Sequence, residues 1–104
     1  MIIIYYLLGC PYSESAKSLV KEYGLNHKII EVTHETKAHY KKKNRMSTFP
    51  QIFLTRSLQR RSVKFKIGGY TDLEKYLITV ANIKLNRLNL DVINYFIRVM
   101  HKNT

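Results

Sequence analysis

The chain has 104 residues, 45% of them hydrophobic, which suits one domain with a modest core. It carries a formal net charge of +11 and a single cysteine, so an intrachain disulfide scaffold is excluded and a reducing, cytoplasmic setting is expected. No run reaches the ~18 apolar residues of a membrane span, and the apolar start Met1–Leu8 lacks the length and basic flank of a signal peptide.

The run Ile2–Leu8 is β-branched and aromatic throughout and predicts a central strand buried on both faces, broken by Gly9. Pro11 can open a helix, because the first helical position needs no amide hydrogen. Ala16, Leu19, Val20 and Tyr23 then recur at helical spacing, and Gly24 ends the helix. A second strand is expected over His27–Thr33, around Ile29, Ile30 and Val32. A polar surface helix with few apolar anchors (Ala38, Tyr40) is expected from Thr33 or His34 to about Asn44. Gln51–Leu54 follows Pro50 as a third strand. Ser62–Ile67 alternates Val63, Phe65 and Ile67 with Lys64 and Lys66, which predicts a half-buried strand with a wet, basic face. Leu54–Ser62 joins these two strands as an antiparallel hairpin with a long basic connection. Gly68-Gly69 is a turn, and Asp72–Val80 is helical. Asn89 caps a last helix whose stripe is Leu90, Ile93, Phe96, Ile97 and Met100. The order βαβα, two strands, then helices predicts an α/β sandwich with a right-handed parallel crossover in its first half.

The positive charge is uneven. Between Thr36 and Thr71 there is no Asp or Glu, while Lys37, Lys41, Lys42, Lys43, Arg45, Arg56, Arg60, Arg61, Lys64 and Lys66 fall inside. Such a one-signed field attracts anions and raises their encounter rate. It suits a small anionic ligand, an acidic protein face or nucleic acid alike.

Cys10 stands between the buried strand and the helix opened by Pro11. A helix N-terminus offers about half a positive charge and unpaired amide hydrogens, and both favour a thiolate. The thiolate is the nucleophile of disulfide exchange. His27, His34, His39 and His101 have no metal-ligand spacing with Cys10 or with one another, so no metal site is expected.

Cys10-Pro11-Tyr12-Ser13 resembles the glutaredoxin active-site motif Cys-Pro-Tyr-Cys, with serine in place of the second cysteine. Thr48-Phe49-Pro50 resembles the family's Thr-Val-Pro loop, whose proline is cis. Gly68-Gly69-Tyr70-Thr71-Asp72-Leu73 resembles its Gly-Gly-Tyr-Thr-Asp block. The resemblance covers about residues 2–80. It implies a thioredoxin-like fold, a four-stranded mixed sheet flanked by helices, over residues 1–80. Residues 81–104 would then be an extra C-terminal helical extension.

The resemblance also implies roles. Cys10 would be the catalytic thiol of a glutathione-dependent oxidoreductase acting on glutathionylated or disulfide-containing proteins. Tyr12 would flank the glutathione sulfur, and Thr48 and Phe49 would offer backbone groups to its cysteinyl part, with Pro50 keeping that edge free. Tyr70, Thr71 and Asp72 would hold the γ-glutamyl end, with Gly68 and Gly69 making the turn before them. The family lysine three positions before the cysteine is Leu7 here, so another cation must meet the glycine carboxylate, and Arg45 is the expected one. Ser13 implies a monothiol cycle. Two alternatives come from other classes. One is a dimeric carrier of a glutathione-ligated [2Fe–2S] cluster. The other, a basic nucleic-acid-binding module, lacks a recognisable motif.

Overall fold

The computed structural model describes residues 1–86. Four strands and three helices follow in the order β1 (Ile2–Leu7), α1 (Pro11–Glu22), β2 (His27–Val32), α2 (Lys37–Asn44), β3 (Gln51–Leu58), β4 (Arg61–Gly68) and α3 (Tyr70–Asn86). The strands form one mixed sheet in the order β2-β1-β3-β4. β1 runs parallel to β2 and antiparallel to β3, and β3 runs antiparallel to β4. This is the thioredoxin-like arrangement expected from the sequence. The chain divides into two compact units, Met1–Glu74 and Lys75–Thr104. In the second unit α3 continues to Asn86, with the Thr79 hydroxyl donating to the Lys75 carbonyl at 2.9 Å. The last helix expected from Asn89, Leu90, Ile93, Phe96, Ile97 and Met100 lies outside the described residues.

The central place of β1 follows from its composition. Ile2, Ile4, Tyr5, Tyr6 and Leu7 are all buried, which only a strand covered on both faces permits. Tyr5 and Leu7 join Val32 and Phe53 in one cluster, against which Tyr40 and Met46 pack from α2 and the loop after it. The other parity of β1 faces α1, where the Tyr6 hydroxyl donates to Glu14. Leu7 thus belongs to the core, where a lysine head group would lose its water.

Three boundaries differ from the sequence-based expectation. α2 begins at Lys37 and not at Thr33 or His34, because Thr33 and Thr36 bind each other. The Thr33 amide donates to the Thr36 hydroxyl at 2.9 Å and the Thr36 amide to the Thr33 hydroxyl at 3.3 Å, making a turn of their own. α3 begins at Tyr70, two residues early, and its first turn closes by the Leu73 amide donating to the Gly69 carbonyl at 3.0 Å. The long connection expected between Leu54 and Ser62 is mostly strand. β3 runs to Leu58 and β4 starts at Arg61, paired as Leu58↔Arg61, so only Gln59 and Arg60 turn the chain. The paired backbone extends the sheet past the apolar residues that alternation could detect. Phe65 is also more open than the alternation predicts, at 47% exposed.

Candidate active site

β1 ends at Leu7, and a turn through Gly9, at φ 81°, delivers Cys10 to the head of α1. The Cys10 amide donates to the Leu7 carbonyl at 3.1 Å, and the Cys10 carbonyl accepts from the Glu14 amide at 3.1 Å. Cys10 is therefore the N-cap residue of α1, with Pro11 directly behind it. This places the cysteine at the positive end of the α1 dipole.

Ser13 completes this end. It is wholly buried, and its hydroxyl accepts from the Leu7 amide at 3.2 Å. Burial pushes the Cys10 thiol up. Against it act hydrogen bonds from the Ser13 hydroxyl and from the Ser13 and Tyr12 amides, together with the charge of Lys37, and the outcome is a thiol below its ordinary value. The resulting thiolate is more abundant near neutral pH than a free cysteine's.

The loop after α2 closes over the sulfur. The Phe49–Pro50 peptide is cis, as expected, and the Cys10 sulfur lies 3.8 Å from the Phe49 carbonyl oxygen. Phe49 and Cys10 both pack against the cluster of Tyr5, Leu7, Val32 and Phe53. Thr48 is exposed one residue earlier. Two buried amides brace this loop. Asn44 Nδ2 donates to Gln51 Oε1 at 2.8 Å, and Gln51 Nε2 donates to the Met46 carbonyl at 3.1 Å, so both ends of the 44–51 segment are tied together.

The head of α3 forms the third side. Gly68 has φ 125°, and a Cβ there would run into the Asp72 carboxylate, so only glycine fits. Asp72 Oδ2 accepts from the Gly69 amide at 3.0 Å, which leaves its second oxygen uncommitted to that bond. A Cβ built on Gly69 would lie 4.0 Å from the Pro50 carbonyl, so the turn backs onto the cis-proline loop. Tyr70 meets Tyr12 with ring centroids 6.2 Å apart, and Tyr12 is 64% exposed. Desolvation, a hydrogen bond with Glu74 and the charges of Glu74 and Glu22 hold the Tyr70 hydroxyl above its ordinary value. Thr71 is exposed between them.

The three sequence blocks therefore meet around one sulfur. Arg45 stands apart from this contact set. It ends α2 in the left-handed conformation, at φ 53° and ψ 44°, and its carbonyl accepts from Lys66 Nζ at 3.2 Å. The cation whose charge acts on Cys10 is Lys37, at the start of α2. Sequence reasoning counted Lys37 only as part of the basic stretch. It also passed over Asn44 and Gln51, whose signal was the pair of uncharged amides flanking the Thr48-Phe49-Pro50 loop.

These features define a thioredoxin-fold protein with its one cysteine at a helix head, set against a cis-proline loop. A family model described as glutaredoxin matches residues 2–59. Glutaredoxin 1 of Rickettsia typhi is 36% identical over 76 residues, 69% of this chain and 65% of that protein. Glutaredoxin 1 of Rickettsia prowazekii is 38% identical over 76 residues, 69% of this chain and 72% of that protein. The solution structure of glutaredoxin from Brucella melitensis is 30% identical with a TM-score of 0.54, covering 82% of this chain and 85% of that one. The chain belongs to the glutaredoxin family. It spans just under two thirds of the length of the Rickettsia typhi relative.

Proposed function

We propose that this protein is a glutathione-dependent thiol–disulfide oxidoreductase that works through Cys10 alone. The observation that carries this reading is the Cys10 sulfur at the head of α1, its thiol drawn below the ordinary value by Ser13, Tyr12 and Lys37. A lowered thiol is both a ready nucleophile and a ready leaving group.

The cycle has two exchanges. The Cys10 thiolate attacks the glutathione sulfur of a protein–glutathione mixed disulfide. A Cys10–glutathione disulfide forms, the original S–S bond breaks, and the protein thiolate leaves and takes a proton from water. A second glutathione, as thiolate, then attacks the glutathione sulfur on Cys10. Glutathione disulfide forms and the Cys10 thiolate returns, so each turnover consumes one glutathione thiol and passes the disulfide bond from the protein to glutathione. Ser13 has no thiol and cannot resolve the intermediate, which makes the cycle monothiol.

Glutathione would lie with its cysteinyl part along the Thr48–Phe49 backbone, as an added strand. Pro50 lacks an amide hydrogen and leaves that edge open. Tyr12 would flank the sulfur. The γ-glutamyl end would reach the head of α3, where Tyr70, Thr71 and Asp72 stand and the amides favour a carboxylate. Arg45 would meet the glycine carboxylate. The substrates would be glutathionylated or disulfide-bearing proteins of the cytoplasm. Among the described residues no group of three His, Cys, Asp or Glu side chains could hold a metal. An iron–sulfur cluster would take only the Cys10 thiolate from this chain, and no step here runs through one.

The test is a disulfide reduction assay coupled to glutathione and glutathione reductase. Turnover by the native chain and its loss in Cys10→Ser are expected. A Cys10→Ser variant that keeps its turnover would overturn the assignment.

A further inference from the structure

Three lysines of the basic stretch, Lys43, Lys64 and Lys66, are held around the apolar cluster on which the reactive sulfur packs. Lys43 Nζ lies 5.9 Å from the Tyr40 ring centroid, and Tyr40 meets Tyr5 at 5.2 Å. Tyr5 meets Phe53 at 5.7 Å, and Lys64 Nζ sits over both, 4.8 Å from Tyr5 and 4.1 Å from Phe53. The Lys64 ammonium also donates to the Tyr5 hydroxyl at 2.9 Å. Lys66 is tied to the Arg45 carbonyl at 3.2 Å. Tyr5 and Phe53 form the apolar cluster on which Cys10 itself packs, and Lys37 already acts on the sulfur. The stretch from Lys37 to Thr71 carries no Asp or Glu.

These lysines are held, not loose. An ammonium fixed over an aromatic face loses less freedom on binding than a free lysine and keeps its charge on the surface. The same packing speaks about the partner. Surfaces that bind single-stranded nucleic acid combine a basic groove with open aromatic faces on which bases stack. Here the Tyr40, Tyr5 and Phe53 rings are occupied by Lys43, Lys64 and one another. What remains is a set of fixed ammonium donors, which fits carboxylates.

We infer that this face, formed by α2 and β4 and running from Lys37 to Lys64 and Lys66, docks the acidic polypeptide flank of the disulfide substrate. The inference rests on the oxidoreductase reading for the substrate's disulfide, but the docking itself does not need turnover. Fixed cations beside the thiol would steer acidic partners to it and raise the encounter rate.

The test has two arms. In the first, kcat/KM is measured for two glutathionylated peptides, one with its cysteine flanked by glutamates and one by glutamines, beside a small glutathione mixed disulfide. The glutamate peptide should be preferred by about tenfold, and ~1 M salt, where the screening length is ~3 Å, should abolish the preference. The Lys43→Glu/Lys64→Glu variant should lose it too, while the small disulfide turns over as before. Equal use of the two peptides by the native chain, or a preference that survives charge reversal, would overturn the inference. In the second arm, fluorescence anisotropy follows Cys10→Ser protein with the same peptides, unglutathionylated, and with a short oligothymidylate. Tighter binding of the glutamate peptide is expected. Tighter binding of the oligothymidylate would overturn the inference in favour of nucleic acid. If no disulfide is turned over, the oxidoreductase reading fails and this second arm alone decides the docking.

Discussion

The Ser13 hydroxyl oxygen lies 3.2 Å from the Leu7 amide nitrogen, and both residues are buried at the junction of β1 and α1. Accepting from Leu7 leaves the hydroxyl proton free for the Cys10 sulfur, whose thiol Ser13 helps to lower. Serine at the position of the family's second cysteine is thus part of the thiolate's support.

Ser13→Ala should raise the Cys10 titration midpoint, because a donor to the thiolate is lost. Alkylation of Cys10 measured against pH should shift to higher pH, and a midpoint unchanged or lower would refute the role. The same change strands the Leu7 amide, at about 1–3 kcal/mol of stability. The sign for native folding follows from the lowered thiol. The Cys10 contribution is fully present above the unfolded midpoint and fades as pH falls through the folded one. Urea titrations of native and Cys10→Ser protein should therefore diverge as pH rises.

Gln51 should matter more to stability than its polar character suggests. It is wholly buried, accepts from Asn44 and donates to the Met46 carbonyl. Gln51→Leu keeps the volume but leaves two buried polar groups unpaired, at about 2–4 kcal/mol. Asn44→Leu breaks the same bond, so the double variant should cost less than the sum of the singles. Additive losses in urea unfolding would show that the pair is not coupled.

The sheet and the site were largely legible in the sequence for a physical reason. β1 is apolar at every position, and the three motif blocks each hold a glycine or proline whose backbone demands are narrow. What escaped was set by partners distant in sequence. The start of α2 depends on the Thr33–Thr36 turn. The length of β3 and β4 depends on backbone pairing through Arg56, Ser57 and Ser62, which carry no apolar signal. Lys64 reads as a solvated charge by alternation, yet its ammonium sits over Tyr5 and Phe53. Lys37 stands at the start of α2, and its charge acts on the Cys10 thiol, which no sequence pattern marks.

Gly68→Ala should cost about 1–3 kcal/mol, since φ 125° is disallowed for a side chain and the new Cβ meets the Asp72 carboxylate. Asp72→Ala alone loses the bond from the Gly69 amide, but Gly68→Ala should cost less in the Asp72→Ala background than in the native chain, because the carboxylate is gone while the backbone strain stays. Thermal unfolding of the native chain, the two single variants and the double variant reads this directly. A double variant as stable as Asp72→Ala alone would mean that the backbone conformation carries no cost.

Lys37 and Arg45 should separate by what each substitution moves. Lys37→Gln removes the charge that acts on Cys10, so the sulfur's titration midpoint should rise. Arg45→Ala should leave that midpoint in place and instead raise the glutathione concentration needed for turnover. The scale is about 1–2 kcal/mol, that of one charge-assisted hydrogen bond. Arg45 also sits in the left-handed region, so Arg45→Gly relieves backbone strain worth about 1–2 kcal/mol. That variant should unfold at higher urea while using glutathione more poorly, and the opposite signs distinguish the guanidinium from the backbone beneath it. If both Arg45 variants keep the native glutathione dependence while Lys37→Gln weakens it, the carboxylate is met from the start of α2. If only changes at Arg56, Arg60 or Arg61 weaken it, the β3–β4 hairpin supplies the cation and Arg45 serves to end the helix.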